Sequence, residues 1–366
     1  MEWGRLMEIL TGIAGPVLVF VLLVVPLIVV HELGHLVVAR IRGIDVPEFG
    51  IGFPPRLFTL LRGRRTELTI NALPLGGFVR MAGSEEGDTD PAGWERASLT
   101  SKVLVIVAGV AMNIVVAFLL MLILSGPLAE RASILLADVQ PNSPAAVAGL
   151  LPGDRIVGLE GETFDRFDSP LRSLPERAGE TVRISVETPG QAVRDVSITL
   201  RTTAEAAGQG YMGVQIESID GAGPLSRPLV DSIGIAVTRT WDAGTSIIGA
   251  LGSFITSPFR PADGSGSVAG PIGIAVGVSA AADQLGFAGL LHIAALLSAN
   301  LAVLNLLPIP PLDGGRVAAL FLRRLLGEVR GRRVERQLVT AGAVLMLALF
   351  AWISFGDILN LFGVER

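Results

Sequence analysis

Long apolar runs alternate with polar segments along this chain, and two further apolar stretches are shorter and rich in glycine and serine. A helix needs about 20 apolar residues to cross about 30 Å of hydrocarbon, and each long run reaches that length. We expect the short stretches, 243–259 and 268–282, to lie at the interface or to re-enter the membrane without spanning it. The pattern predicts four transmembrane helices, in the runs 9–30 (continuing to 39), 103–129, 285–312 and 337–356.

Between the second and third runs, residues 131–217 have the composition of a globular domain. Strand-like alternation in TVRISVETP and RDVSITL is bounded by glycine and proline. The string VQPNSPAAVAGLLPGDRIVGLEGETF, residues 139–164, predicts a strand, a short helix closed by Gly149, a turn and a second strand. This string resembles the core of bacterial PDZ domains, which implies a groove that binds an extended peptide by strand addition.

A later string, GYMGVQI, is similar to the strand and carboxylate-binding loop of a circularly permuted PDZ domain. The similarity implies peptide contacts from Gly210, Tyr211, Met212 and Gly213. The alternative is a β-rich domain that packs on the membrane part and binds nothing.

Charge orients the predicted helices. Charged residues make up 17% of the chain, against about 25% in soluble domains, and arginine is concentrated in the segments 40–102 and 316–336. The positive-inside rule assigns both basic segments to the cytoplasm and assigns both termini and 130–283 to the outside.

A net charge of −5 without basic clusters argues against nucleic acid as a partner. The absence of cysteine excludes disulfides, thiolate metal ligands and thiol nucleophiles.

Two histidines and a glutamate interrupt the first apolar run, in VVHELGHLVV. His31 and His35 are four residues apart, so on a helix they share a face and can bind one metal ion together. In H-E-x-x-H proteins the glutamate, here Glu32, activates water as general base and does not bind the metal. Ionisable groups in a membrane are costly unless they pair or coordinate, which favours a functional cluster over histidines that only pack between helices.

A catalytic zinc site usually has three protein ligands, and the chain offers one other histidine, His292. On a continuous helix His292 lies about 30 Å from Asp313, near the opposite membrane face. The predicted orientation brings the ends of the first and third runs to the same side, so it favours Asp313 as the third ligand and assigns His292 to packing or the interface. The proline-rich stretch 308–311 predicts a helix break, and Gly314 and Gly315 predict a flexible turn after Asp313.

Together these features resemble the site-2 protease family of intramembrane zinc metalloproteases, most closely the bacterial regulator of sigma-E protease group. The resemblance covers essentially the whole chain and includes HELGH, NLLPIPPLDGG from Asn305, the PDZ-like insert, AGVAMNIVVAF in the second run and GPIGIA before the third. It implies one Zn²⁺ per chain, held by His31, His35 and Asp313, with Glu32 as the base. Asn305 is expected to hydrogen-bond the scissile backbone, the alternative being an asparagine that joins helices.

The resemblance also implies where substrate binds. Residues 49–83, FGIGFPPRLFTLLRGRRTELTINALPLGGFVRMAG, are similar to the family's β-loop on the cytoplasmic side, where a strand takes up unwound substrate as an added strand. The alternation in ELTINALPLGGFVRM is independently strand-like. The expected partners are the lipid bilayer, a single-span membrane protein substrate and an upstream site-1-type protease. The expected substrate contacts in the loop are Ala72, Leu73, Pro74, Leu75, Gly76, Gly77 and Phe78.

The predicted fold is a membrane α-helical bundle of about four transmembrane helices with a membrane-associated β-loop and one extracytoplasmic PDZ-like α/β domain. The predicted function is cleavage of transmembrane segments, such as those of an anti-sigma factor or a signal-peptide remnant, in the bacterial inner membrane with both termini outside. Two alternatives are a membrane metal-handling protein, which would not need Glu32 as base, and a non-catalytic PDZ scaffold. The predicted boundaries are 1–41 for the first transmembrane helix with the zinc motif, 42–100 for the β-loop, 101–129 for the second helix, 130–220 for the PDZ-like domain, 221–284 for an amphipathic interfacial segment, 285–316 for the third helix with the LDG motif, and 317–366 for a basic cytoplasmic loop and the fourth helix.

Overall fold

The computed structural model describes residues 3–83, 93–167, 170–206, 209–256 and 271–361. The chain divides into two compact units, which we call the inserted unit, Leu122–Gly234, and the membrane unit, Met1–Met121 with Ile235–Arg366. Within the described residues, four helices are long and apolar enough to cross a membrane. The predicted number of spans is confirmed at this level, and the spans are Ala14–Ile41, Leu99–Ser125, Leu285–Leu306 and Val329–Gly356.

The first part of the membrane unit contains two long helices and a sheet made of two bent strands. Along the chain, α1 (Trp3–Ile41) is followed by β1 (Glu48–Arg62), β2 (Glu67–Arg80) and α2 (Leu99–Ser125). The register pairs Glu48 with both Glu67 and Arg80, so the start of β1 lies between the two ends of β2. Within the described part of the chain, residues 77–80 therefore pair on one side only and form an edge of the sheet.

The inserted unit is a sheet built over one hydrophobic core. Its elements are β3 (Glu130–Val139), α3 (Pro144–Val147), β4 (Arg155–Leu159), β5 (Glu162–Thr163), β6 (Thr181–Glu187), β7 (Arg194–Thr199) and β8 (Val214–Pro224). The strand order is β7-β6-β4-β3-β8, with β5 beside β4, so β8 lies at an edge. Alternate strand residues such as Ile134, Ile156 and Ile184 are fully buried. As predicted, Gly149 follows the end of α3 with a positive φ of 78°.

The remaining helices return to the membrane unit. They are α4 (Leu229–Thr256), α5 (Pro271–Leu306), α6 (Asp313–Leu326) and α7 (Glu328–Leu361), and α5 is interrupted at Gly286, where φ is 62°. Neither α4 nor the apolar stretch Gly273–Ala282 is among the four candidate spans found within the described residues. The interfacial or re-entrant placement of these stretches stays a prediction. Residues 257–270, which include parts of both predicted stretches, lie outside the described residues.

Two predictions about the chain after the third span are wrong. Gly314 and Gly315 do not form a flexible turn, because both lie in the first turn of α6. The chain returns so closely there that a Cβ on Gly314 would collide with the Leu306 carbonyl, and one on Gly315 would approach the Pro310 nitrogen to 2.5 Å. The basic segment predicted as a loop is helical, since α6 and the start of α7 contain its arginines.

Candidate metal centre

The HELGH motif lies inside the first candidate span, on α1. Four-residue spacing brings His31 and His35 to one face, where both side chains are buried. Potential ligand atoms of His31, Glu32 and His35 all lie within 4.8 Å of one another. The two imidazoles meet edge to face, with their Nε2 atoms 3.2 Å apart.

Asp313 completes this cluster. Residues 307–312 lead the chain from the end of α5 into α6, and Asp313 is the first residue of α6. Its Oδ2 atom lies 3.0 Å from His31 Nε2 and 3.2 Å from His35 Nε2. The prediction that Asp313 meets the two histidines is therefore realised in the geometry. His292, on α5, is not part of the cluster.

The three donor atoms fit a zinc ion. They form a triangle with sides of 3.0, 3.2 and 3.2 Å, and ligands about 2.0–2.1 Å from a tetrahedral zinc are spaced by about 3.3 Å. His35 Nδ1 donates to the Val105 carbonyl at 2.8 Å, so His35 Nε2 is left with a lone pair that points into the cluster. The buried Oδ2 of Asp313 has no hydrogen-bond donor within the described part of the chain. Two imidazole nitrogens and a carboxylate oxygen without a donor between them are the ligand set of a catalytic zinc site.

Glycines make room for these side chains. A Cβ on Gly109 of α2 would lie 2.5 Å from two ring atoms of His35 and 2.8 Å from His31 Cε1. A Cβ on Gly34 would lie 2.5 Å from the Ala108 carbonyl oxygen, so α1 and α2 pack backbone to backbone beside the cluster. Both glycines are needed for space, since any side chain would separate the helices or displace the imidazoles.

The predicted substrate strand lies beside the predicted base. A Cβ on Gly77 of β2 would be 3.1 Å from Glu32 Cγ, so the edge 77–80 begins next to Glu32. Among the predicted contacts, Ala72 and Leu73 are exposed and Gly76 and Gly77 are buried. Phe78 is partly buried, and the side chains of Pro74 and Leu75 lie outside the described residues.

The other predicted site residues belong to the inserted unit and to the end of α5. Gly210 and Gly213 have positive φ values of 70° and 72° in the loop before β8. Met212 is buried in the core of the inserted unit, and Tyr211 packs against that core, so a peptide could meet the Met212 backbone but not its side chain. Asn305 is the penultimate residue of α5 and is partly buried.

Sequence reasoning missed three contributors to this site. Gly109 and the Val105 carbonyl were not singled out, and Asn113 appeared only as one letter of AGVAMNIVVAF. In the structure Asn113 is fully buried on α2, and its Nδ2 atom lies 3.4 Å from His31 Nδ1. The sequence does contain an indication of Gly109 and Asn113: a polar residue follows a glycine by four positions in an apolar run, and this spacing places both on one helix face.

A cluster of charges on the predicted cytoplasmic side holds the far end of α6. The buried Arg323 donates to Glu95 at 3.0 and 3.4 Å, and Lys102 and Arg332 also lie near Glu95. Burial alone would raise the pKa of Glu95, but the Arg323 hydrogen bond and charge, followed by Lys102 and Arg332, outweigh it and lower that pKa. Because Asp313 begins α6, this ion cluster helps to fix the helix that supplies the third donor.

Comparison with known proteins agrees with this geometry. The model of peptidase family M50 matches residues 19–349, which include all four donor and base residues. The chain belongs to peptidase family M50. The predicted resemblance to site-2 proteases is therefore confirmed, and this family of membrane peptidases is zinc-dependent.

Several relatives match nearly end to end, and each bears the name "Putative zinc metalloprotease". One from Brucella suis biovar 1 is 30% identical, over 94% of this chain and 96% of its own length. One from Synechocystis is 33% identical, over 93% of each chain. One from Clostridium acetobutylicum is 29% identical, over 91% of this chain and 94% of its own. The chain is a membrane-embedded peptidase by family and by its apolar helices.

Proposed function

We propose that this protein is a zinc-dependent intramembrane endopeptidase that cleaves the transmembrane segment of single-span substrates. The observation that carries the proposal is the triangle of His31, His35 and Asp313 donors, with Glu32 beside it, inside an apolar candidate span. The names of the relatives support zinc as the metal. Of the divalent ions, zinc suits two imidazoles and one carboxylate with an open fourth position.

His31, His35 and Asp313 would hold the ion, which when bound supplies Lewis acidity toward water and the substrate carbonyl. Glu32 lies within 4.8 Å of the histidine ligand atoms and is close enough to take the proton from the attacking water. The same carboxyl group then delivers that proton to the leaving amine. We also propose that the Asn305 side chain donates a hydrogen bond to the substrate backbone, either to the scissile carbonyl or to a residue beside it.

A transmembrane helix must unwind locally before its backbone can be cut. The edge 77–80 of β2 offers unpaired backbone groups next to Glu32, so an unwound substrate segment can pair there as an added strand. Strand pairing replaces the hydrogen bonds that the substrate helix loses, which offsets the cost of exposing them in the membrane. We assign substrate contact to residues 72–78, the part of β2 that leads into this edge.

The inserted unit would act as a PDZ-like module. Its edge strand β8 and the 210–213 loop suit strand addition by an extended peptide, such as an end left by an upstream site-1-type protease. We propose location in the bacterial inner membrane, with both termini and the inserted unit outside. An anti-sigma factor and a signal-peptide remnant are the substrate classes that fit.

Purified protein in detergent, mixed with a tagged single-span substrate, tests the proposal. Wild type should cut within the span, as mapped by mass spectrometry, and a chelator should abolish cleavage. Glu32→Gln should lose cleavage and keep zinc, because Glu32 does not bind the metal. A substrate with proline near the scissile bond should unwind more readily, whereas backbone N-methylation at the pairing positions should block cleavage.

Two other outcomes would favour the rival functions. Zinc uptake into vesicles that is unchanged in Glu32→Gln would support a metal-handling protein. Retention of zinc without cleavage of any of several truncated substrates, combined with peptide binding by the inserted unit, would support a scaffold.

A further inference from the structure

Within the described part of the chain, Asn113 is the residue of α2 whose polar side chain reaches the metal cluster. Asn113 is fully buried, and its amide lies 3.4 Å from Nδ1 of His31. The amide oxygen, Oδ1, is buried without a hydrogen-bond partner among the described residues. A buried acceptor left unpaired costs about 1–3 kcal/mol, so its occurrence beside a metal ligand needs a physical reason.

The protonation of His31 supplies that reason. His31 Nε2 belongs to the donor triangle and must present a lone pair, so the ring proton resides on Nδ1. An Nδ1–H group needs an acceptor, and an amide nitrogen cannot accept. Because the amide oxygen and nitrogen have nearly the same size, a 180° rotation of the Asn113 amide brings Oδ1 to His31 Nδ1. The Nδ1–H group then has an acceptor, and the amide NH2 takes the position that Oδ1 held.

The two histidines are then held in the same way by one helix. His35 Nδ1 donates to the Val105 carbonyl, and with the Asn113 amide rotated, His31 Nδ1 would donate to the Asn113 amide oxygen in the same way. Val105, Gly109 and Asn113 are four residues apart, so they share a face of α2, with Gly109 providing space between the two contacts. Acceptors of this kind fix the tautomer and ring orientation of metal-binding histidines.

We propose that Asn113 is a positioning residue for the metal centre, whose amide oxygen accepts from His31 Nδ1–H and directs His31 Nε2 to the ion. The inference rests on the metal site of the proposed function and does not depend on what the enzyme cleaves. Loss of such an outer acceptor typically weakens metal binding by about 10–100-fold. The same loss is expected here when the amide is removed.

Two variants and one matched control test the proposal, with zinc affinity measured in detergent by chelator competition. Asn113→Leu keeps the volume and removes the acceptor, so zinc should bind roughly 10–100-fold more weakly. Asn113→Asp keeps an acceptor and should retain zinc affinity. Ser298→Ala is the control, because Ser298 Oγ donates to the Asn113 backbone carbonyl at 2.8 Å and its loss disturbs the contact between α2 and α5 without touching His31.

Cobalt substitution provides a spectroscopic readout that a merely structural role would not change. The visible absorption bands of the Co²⁺ protein should shift in Asn113→Leu and stay unchanged in Ser298→Ala. Equal affinity losses in Asn113→Leu and Ser298→Ala, or wild-type affinity and spectrum in a folded Asn113→Leu, would overturn the proposal. If Asn113→Leu does not fold, Asn113→Asp decides, since loss of zinc there would mean that the amide nitrogen is the group facing His31.

The failure of this inference can be distinguished from the failure of the proposed function. A wild-type protein that binds zinc but cuts no substrate would leave the affinity comparison intact and remove only the peptidase assignment. A wild-type protein that binds no zinc would overturn both.

Discussion

At the scale of single residues, the metal centre depends on two glycines without side chains as well as on its donor residues. His31 and His35 lie against Gly109, and α1 approaches α2 at Gly34, because neither glycine has a side chain. The sequence made the two histidines and Asp313 predictable, since their chemistry is rare in apolar segments. It gave no indication that Gly109 faces the histidines, because that depends on which helix packs against α1.

Gly109→Ala should weaken zinc binding. A Cβ at this position would lie 2.5 Å from His35 Nε2, and overpacking of this kind costs about 1–3 kcal/mol, or roughly 5- to 150-fold in affinity when the imidazole must move. Chelator competition measures the change. Gly15→Ala on α1 is the control, since a Cβ there meets nothing within 4 Å and zinc affinity should stay the same.

Asp313→Asn should abolish stoichiometric zinc binding, whereas His292→Gln should retain it. The amide removes the negative charge that faces both histidines, while His292 lies outside the cluster. Zinc counted by mass spectrometry in the two purified variants decides between the candidate third ligands. A zinc-free His292→Gln with normal folding would contradict the assignment.

At the scale of elements, the position of α6 decides whether the site is complete. The HELGH motif supplies two donors from one helix, but the third comes from the start of α6, whose other end is held by Glu95 through Arg323. The proline-rich break before Asp313 was predictable from the sequence. The helical first turn after it was not, because glycines there allow a close return of the chain that only tertiary contacts define.

The Glu95 cluster predicts a specific dependence of stability on pH. The pKa of Glu95 is lower in the folded protein than its ordinary value of 4.5, so its stabilising contribution is present above that value and is lost as the pH falls through the folded pKa. Glu95→Gln should lower the free energy of unfolding by about 1–3 kcal/mol at neutral pH, because Arg323 would then have only a neutral partner. The stability of this variant should also fall less than that of wild type as the pH drops below about 4.5.

Thermal unfolding between pH 7 and 3.5 measures this prediction, with zinc content followed in parallel. Glu162→Gln, at an exposed glutamate of β5, is the matched control and should behave as wild type. An identical pH profile for Glu95→Gln and wild type would show that the cluster does not stabilise the fold.

At the scale of the whole molecule, apolar helices alternate with polar segments along the chain. Each helix that crosses the bilayer places the polar segments before and after it on opposite sides of the membrane. The four candidate spans and the placement of the basic segments predict that the 40–102 and 316–336 segments face the cytoplasm and that the inserted unit lies outside. A fifth span within 243–282 would place the two basic segments on opposite sides.

Single cysteines test this topology directly, because the natural chain contains none. Gln191→Cys, in the inserted unit, should react with a membrane-impermeant maleimide in intact cells whose outer barrier has been permeabilised. Arg64→Cys, at the turn between β1 and β2, should react only after the inner membrane is opened. The reverse pattern would overturn the orientation.

The sequence by itself determined the number of spans, the inserted β-rich unit and the chemistry of His31, Glu32, His35 and Asp313. These follow from composition and from spacing along one helix, which are local properties. Only the tertiary structure decided how the donors meet: that Gly109 and Asn113 face the histidines, that β2 brings an edge to Glu32, and that Glu95 holds α6. Those relations join residues far apart in the chain, and they depend on the packing of helix faces and on strand register, which no local pattern specifies.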